Sequence, residues 1–217
     1  MNRYFVAIRK DFILVKKFLP SLLGILLIFS AFMNSQLNVP IKDYLIFLLI
    51  EIFGVQLLFN YLSQLEDGEF GRNALIASPY GRKLYITSRY LFIAISFALI
   101  YVVYCVGSVL TKILNYYPYN LPDIHAVVMV MFVLSLWITI NLLVYYRFGY
   151  AKMRIFSTIV MFLLPFAISI AVKEYSFNFN FLSLEQGTTF AILVILSILI
   201  YLVSMFVSIK LFEKRDL

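Results

Sequence analysis

The chain of 217 residues carries 63% hydrophobic and 13% charged residues, with a formal net charge of +7. A soluble domain holds about 25% charged residues, so this composition belongs to lipid rather than to water. The cations are spread over several short segments and form no stripe interleaved with stacking aromatics, which excludes a nucleic-acid footprint.

Residues 1–17, MNRYFVAIRKDFILVKK, place Phe5, Ile8, Phe12 and Val15 on one helical face and Arg3, Lys10 and Lys17 on the far side. This spacing predicts an N-terminal amphipathic helix lying in the cytoplasmic interface, with a plain basic flank as the simpler alternative. The apolar run that follows is longer than a signal-peptide core and shows no small-x-small cleavage pattern, so it reads as an uncleaved first span. Further runs of bilayer length recur along the chain. The predicted spans are 18–34, 44–64, 90–112, 125–146, 155–172 and 188–210, with residues 65–89 as a cytosolic segment between the second and third. The fold class is therefore an all-α polytopic membrane protein, one domain with six transmembrane helices. Pro20 is tolerated near the start of the first span, and Pro165 should kink the fifth.

Orientation follows from the cations. Fifteen of the 18 Lys and Arg residues fall in the N-terminal segment, in the stretches after spans two and four, and in the C-terminal tail. Only Lys42, Lys112 and Lys173 fall on the other side. An excess of Lys and Arg marks cytoplasmic segments, which predicts both termini in the cytoplasm and contact with anionic membrane lipids. The outer stretches NYYPYNLPD and KEYSFNFNFLSLEQG are short and aromatic, as expected at headgroup depth.

Polar groups inside the spans are few. Glu51 is the only ionisable residue deep in a span, about 10 Å below the outer surface. A carboxyl there costs on the order of 2.5–3.5 kcal/mol on insertion scales, so it should face protein or water. It is either a translocation contact or a neutral acid hydrogen-bonded between helices. Gln56, Asn60 and Ser63 continue along the same span, and with Glu51 the first two make a candidate translocation path. Ser197, Tyr201, Ser204 and Ser208 form a stripe in span six, and Asn141 lies in span four. Helix packing is the favoured reading of such stripes. The lone Cys105 reads as a small packing residue.

No HExxH, CxxC or GxSxG pattern occurs, and His125 has no ligand partner nearby, so neither a catalytic centre nor a metal site is expected. No glycine opens a GxxxxGK[ST] sequence, so the chain has no phosphate-binding loop of its own. Energy for transport must come from an ion gradient or a partner.

The stretch IASPYGRKLYITSRYL, with Ser78, Pro79, Arg82, Ile86, Arg89, Tyr90 and Leu91, resembles the pattern that opens span three in permease subunits of ABC-2 type ABC transporters. The closing VSIKLFEKRDL is similar to the family's usual ending, and the layout agrees over the whole chain. Among family branches, the small size most resembles bacterial peptide exporters of the phenol-soluble modulin type. The resemblance implies a dimer of permeases, identical or paired with a homologue, working with two separate ABC ATPase subunits that bind ATP and Mg. It implies that the segment between spans two and three docks on the ATPase as a coupling helix, through Glu66, Asp67, Glu69, Phe70, Arg72, Leu75 and Ile76. Ser78, Pro79, Arg82 and Arg89 then form its exit, with both arginines on one face beneath span three, where lipid headgroups are the other contact. The implied activity is export of an amphipathic or hydrophobic substrate across a bacterial cell membrane. The alternatives are a gradient-driven carrier or channel, and a non-transporting immunity or sensor-partner protein.

Overall fold

The computed structural model describes residues 3–36, 42–67, 82–114, 120–174 and 187–213, with side chains over 5–33, 43–67, 83–114, 120–163 and 190–212. Every regular element among the described residues is helical. In chain order these are α1 (Arg3–Val15), α2 (Leu19–Gln36), α3 (Lys42–Asp67), α4 (Arg82–Ile113), α5 (Ile124–Phe148), α6 (Tyr150–Glu174) and α7 (Gly187–Glu213).

Four of them, α3, α4, α5 and α7, are long and apolar enough to cross a membrane. The pair α1 and α2 is bent by 69° and makes a fifth if taken as one broken span. The six expected spans are thus four or five among the described residues, because the apolar second half of α6 has no described side chains. For the same reason the kink expected at Pro165 cannot be followed. Pro20 lies in the first turn of α2, where its missing N–H has no helical acceptor to lose.

The cytosolic segment expected over 65–89 is entered by helix from both ends. Helix α3 continues to Asp67 and α4 already begins at Arg82. At 32 residues α4 is about 48 Å long, well over the roughly 30 Å of hydrocarbon, so its first turns extend past the apolar layer. The face of α1 also differs from expectation. Ala7, Asp11 and Val15 point inward at four-residue spacing, while Phe5 is 60% exposed. Helix α1 packs mainly on α4, where the Phe12 and Phe92 rings lie 5.0 Å apart.

Helix α3 is the axis of the bundle. Two thirds of its apolar window (67%) is buried, against 11% for α7. Ile46, Phe47, Ile50, Val55, Leu58 and Leu62 supply its core face. Gly54 lets α2, α3 and α4 meet closely, since a Cβ there would lie 2.7 Å from Ile100 Cδ1 and 3.1 Å from Leu26 Cδ1. Helices α5 and α6 are separated by Gly149, whose φ of 87° favours glycine, with its N–H donating to Tyr145 O at 2.9 Å.

The serine stripe of α7 packs as expected. Tyr90 Oη on α4 lies 2.6 Å from Ser204 Oγ and 2.9 Å from Ser208 Oγ, and Tyr201 Oη donates to the Tyr90 carbonyl. At the opposite end, Asp123 caps α5 by accepting from Ala126 N at 2.8 Å and receives Tyr44 Oη at 2.9 Å. Asn120 donates to Asp43 at 3.0 Å, tying the start of α3 to that cap.

Substituting Gly54 by leucine should lower thermal stability in detergent by about 1–3 kcal/mol, because overpacking forces Ile100 and Leu26 aside. Gly24→Leu is the matched control, since no atom lies within 4 Å of its added Cβ. Equal losses in the two variants, by melting followed on a sizing column, would contradict the close approach at Gly54.

Candidate functional site

Four charged side chains converge where α1, the end of α3 and the start of α4 meet. Glu66 is 5% exposed and Arg89 is fully buried. Arg89 Nη2 pairs with Glu66 Oε2, and Tyr85 Oη donates to the same oxygen. Lys10 Nζ reaches Glu66 Oε1 at 3.1 Å and Asp11 Oδ1 at 3.3 Å. Arg89 Nη2 also donates to Tyr85 Oη at 3.1 Å, and both cations lie over the Tyr85 ring. Tyr85 and Tyr146 in turn pack on Phe212 of α7, so five helices share this foot. Arg89 and the half-exposed Lys10 balance the two buried carboxylates, which is what makes burial of the three enclosed charges tolerable.

This placement revises two expectations. Arg89 does not face lipid headgroups, because it is enclosed by the bundle and ion-paired. Glu66 is not presented for a partner to touch, because both its oxygens are engaged inside the chain. Asp67, one residue on, is exposed at the end of α3. Glu69, Phe70, Arg72, Leu75, Ile76, Ser78 and Pro79 lie outside the described residues. Arg82 begins α4, and its side chain is not described. The residues that sequence reasoning missed are Asp11, Lys10 as a bridge, and Tyr146. Asp11 is the one acidic residue among the first seventeen, at four-residue spacing from Ala7 and Val15, and that spacing was the available signal.

A second polar cluster lies midway along α3. Trp137 Nε1 donates to Gln56 Oε1 at 2.9 Å, and Gln56 Nε2 donates to Asn60 Oδ1 at 2.9 Å. Asn141 Nδ2 bonds the Trp137 carbonyl at 2.9 Å, and Gln56 Nε2 approaches Met153 Sδ at 3.9 Å. Gln56 and Asn60, expected along a translocation path, here join α3 to α5 and α6. Glu51 is fully buried, one turn and a residue before Gln56, and neither carboxyl oxygen has a hydrogen-bond partner. It faces protein, and among the described residues the hydrogen bond expected of a packing role is not made.

An apolar cleft of about 220 Å³ opens between α4, α5 and α7, lined by Phe97, Met131, Leu134, Ile138, Tyr201 and Leu202 among others. Among the described residues, no group of three or more His, Cys, Asp or Glu could hold a metal ion.

Breaking the foot pair from one side should be costly. Glu66→Gln leaves Arg89 buried without its counter-charge and should lose about 3–5 kcal/mol of stability, whereas Glu66→Gln with Arg89→Gln should recover part of that loss. Thermal melting of the four corners of this cycle is the check, and additive losses would refute the pair. Gln56→Leu should shift the emission of Trp137, the only tryptophan in the chain, by removing its hydrogen-bond acceptor. An unchanged spectrum would mean the contact is not formed in solution.

A family model for ABC-2 family transporter proteins matches residues 8–213, a range running from within α1 to the end of α7. No curated protein and no solved structure matches the chain. The match takes in both polar clusters and every membrane-crossing helix described above, and on it the chain belongs to the ABC-2 family of transporter membrane proteins.

Proposed function

We propose that the chain is the permease subunit of an ATP-driven ABC exporter, working with separate ATPase subunits. The observation that carries this reading is the family match over residues 8–213. The sequence itself supports it, since no phosphate-binding loop is present to supply the energy within this chain. In the proposed arrangement six spans cross a bacterial cell membrane, both termini face the cytoplasm, and α1 lies along the inner interface. The 69° bend between α1 and α2 suits a helix that turns from the membrane surface into the bilayer.

The chain between Asp67 and Arg82 is the proposed coupling segment, docking on the ATPase. The engaged acid Glu66 and the exposed Asp67 then divide the work: one fixes the root of the segment, the other faces outward. Two permeases, two copies of this chain or this chain with a homologue, would pair with two ATPase subunits. The proposed cargo is an amphipathic or hydrophobic molecule, with antimicrobial or cytolytic peptides as the leading class. Its apolar parts suit the apolar cleft between α4, α5 and α7.

Copurification tests the reading. Co-expressed with the P-loop ATPase encoded beside it, the tagged chain should retain that ATPase through membrane solubilisation at equal stoichiometry. A monodisperse chain that never holds the ATPase would refute it.

A further inference from the structure

Asp11 is 1% exposed, yet neither of its oxygens has a hydrogen-bond partner. Among the described residues its one ion-pair partner is Lys10 Nζ, at 3.3 Å. Arg89 is as deeply buried and uses only Nη2, leaving Nε and Nη1 without acceptors. A guanidinium has five donors in a rigid fork, and a buried carboxylate without partners is expensive to keep. Lys10 Nζ joins the two carboxylates, at 3.1 Å from Glu66 Oε1 and 3.3 Å from Asp11 Oδ1, so the unused acceptor pair lies one cation away from the carboxylate that holds Arg89.

We propose that Asp11 is the second carboxylate of Arg89. In the nucleotide-free subunit Glu66 on α3 holds the guanidinium, and when the ATPase closes on ATP the guanidinium passes to Asp11 on α1. The proposal rests on the permease reading above. Lys10 makes the exchange cheap, because it already lies within 3.1 Å of Glu66 and 3.3 Å of Asp11. Whichever acid loses Arg89 keeps a cation beside it. Tyr85 serves both positions, since it accepts from Arg89 and donates to Glu66.

The geometry gives the exchange a mechanical sense. Arg89 lies two turns inside α4, whose start is joined through fourteen residues to the end of α3. A push on that connection moves the foot of α4 relative to α3. The ion pair that resists the push is Glu66–Arg89, and the acceptor on the other flank is Asp11. Interfaces with two discrete salt-bridge arrangements are a recurrent way of turning small displacements into a two-state change. Asp11 is a positioning residue in this scheme and touches neither nucleotide nor cargo.

The test uses the copurified complex, nucleotide-free and trapped with ATP by a hydrolysis-deficient ATPase. Double-mutant cycles by thermal melting compare Glu66→Gln with Arg89→Gln, and Asp11→Asn with Arg89→Gln. The expected result is strong coupling of Glu66 to Arg89 without nucleotide and weak coupling of Asp11, reversed in the trapped complex. Where Arg89→Gln fails to fold, Asp11→Asn alone is read. It should lower the Tm of the trapped complex by several degrees more than that of the nucleotide-free complex, with Asp11→Glu restoring the difference. An equal Tm loss in both states, or none in either, overturns the proposal and assigns Asp11 to packing or to a static water bridge. A chain that retains no ATPase overturns the permease reading and this proposal together.

Discussion

The ion pair between Glu66 and Arg89 is the constraint around which the rest of the bundle is arranged. Two charges taken out of water are tolerated only when each finds the other. That demand explains why Tyr85 turns inward, why Lys10 bends toward α3, and why α1 is held against α4 instead of floating free. It fixes the distance between the end of α3 and the start of α4 at one point. Everything joined to those helices takes its position from that point. The apolar core above, centred on α3, then needs only to be shape-compatible, as the close approach at Gly54 shows.

The two polar clusters do different physical work. The foot carries net charge on individual groups and joins helices whose ends project toward water. The layer around Gln56 is neutral and is held together by amide and indole bonds. Neutral hydrogen bonds of this sort are worth about 0.6–2 kcal/mol each within membranes, enough to select a register without dominating stability. Glu51 fits neither pattern. It is an ionisable group enclosed by the bundle with no bond to satisfy it.

Much of the architecture was legible because length and hydropathy decide it. Each predicted apolar run falls within one helix, and the serine and tyrosine spacing in the last one correctly named a packing face. What was not legible is tertiary. Counting cations assigned Arg89 to the flank, since composition cannot see a carboxylate 23 residues away that neutralises it. The helical wheel of α1 took Lys10 as outward-facing, yet a long stem lets its head reach Glu66 while the helix turns Asp11 inward. Both errors have one cause: periodicity treats charge as a vote for water, and a paired charge casts no such vote.

Helix α7 has a consequence for biogenesis. It is the last of the described helices to leave the ribosome and the least enclosed, with 11% of its window buried. Its apolar surface gives it no reason to prefer protein over lipid, since both neighbours are equally greasy. What distinguishes the docked position is the pair of serine hydroxyls that meet Tyr90, with Tyr201 closing on the same backbone. Tyr90 sits one residue after Arg89, so a single turn of α4 carries both the charged foot and the hydroxyl seat of the helix made last.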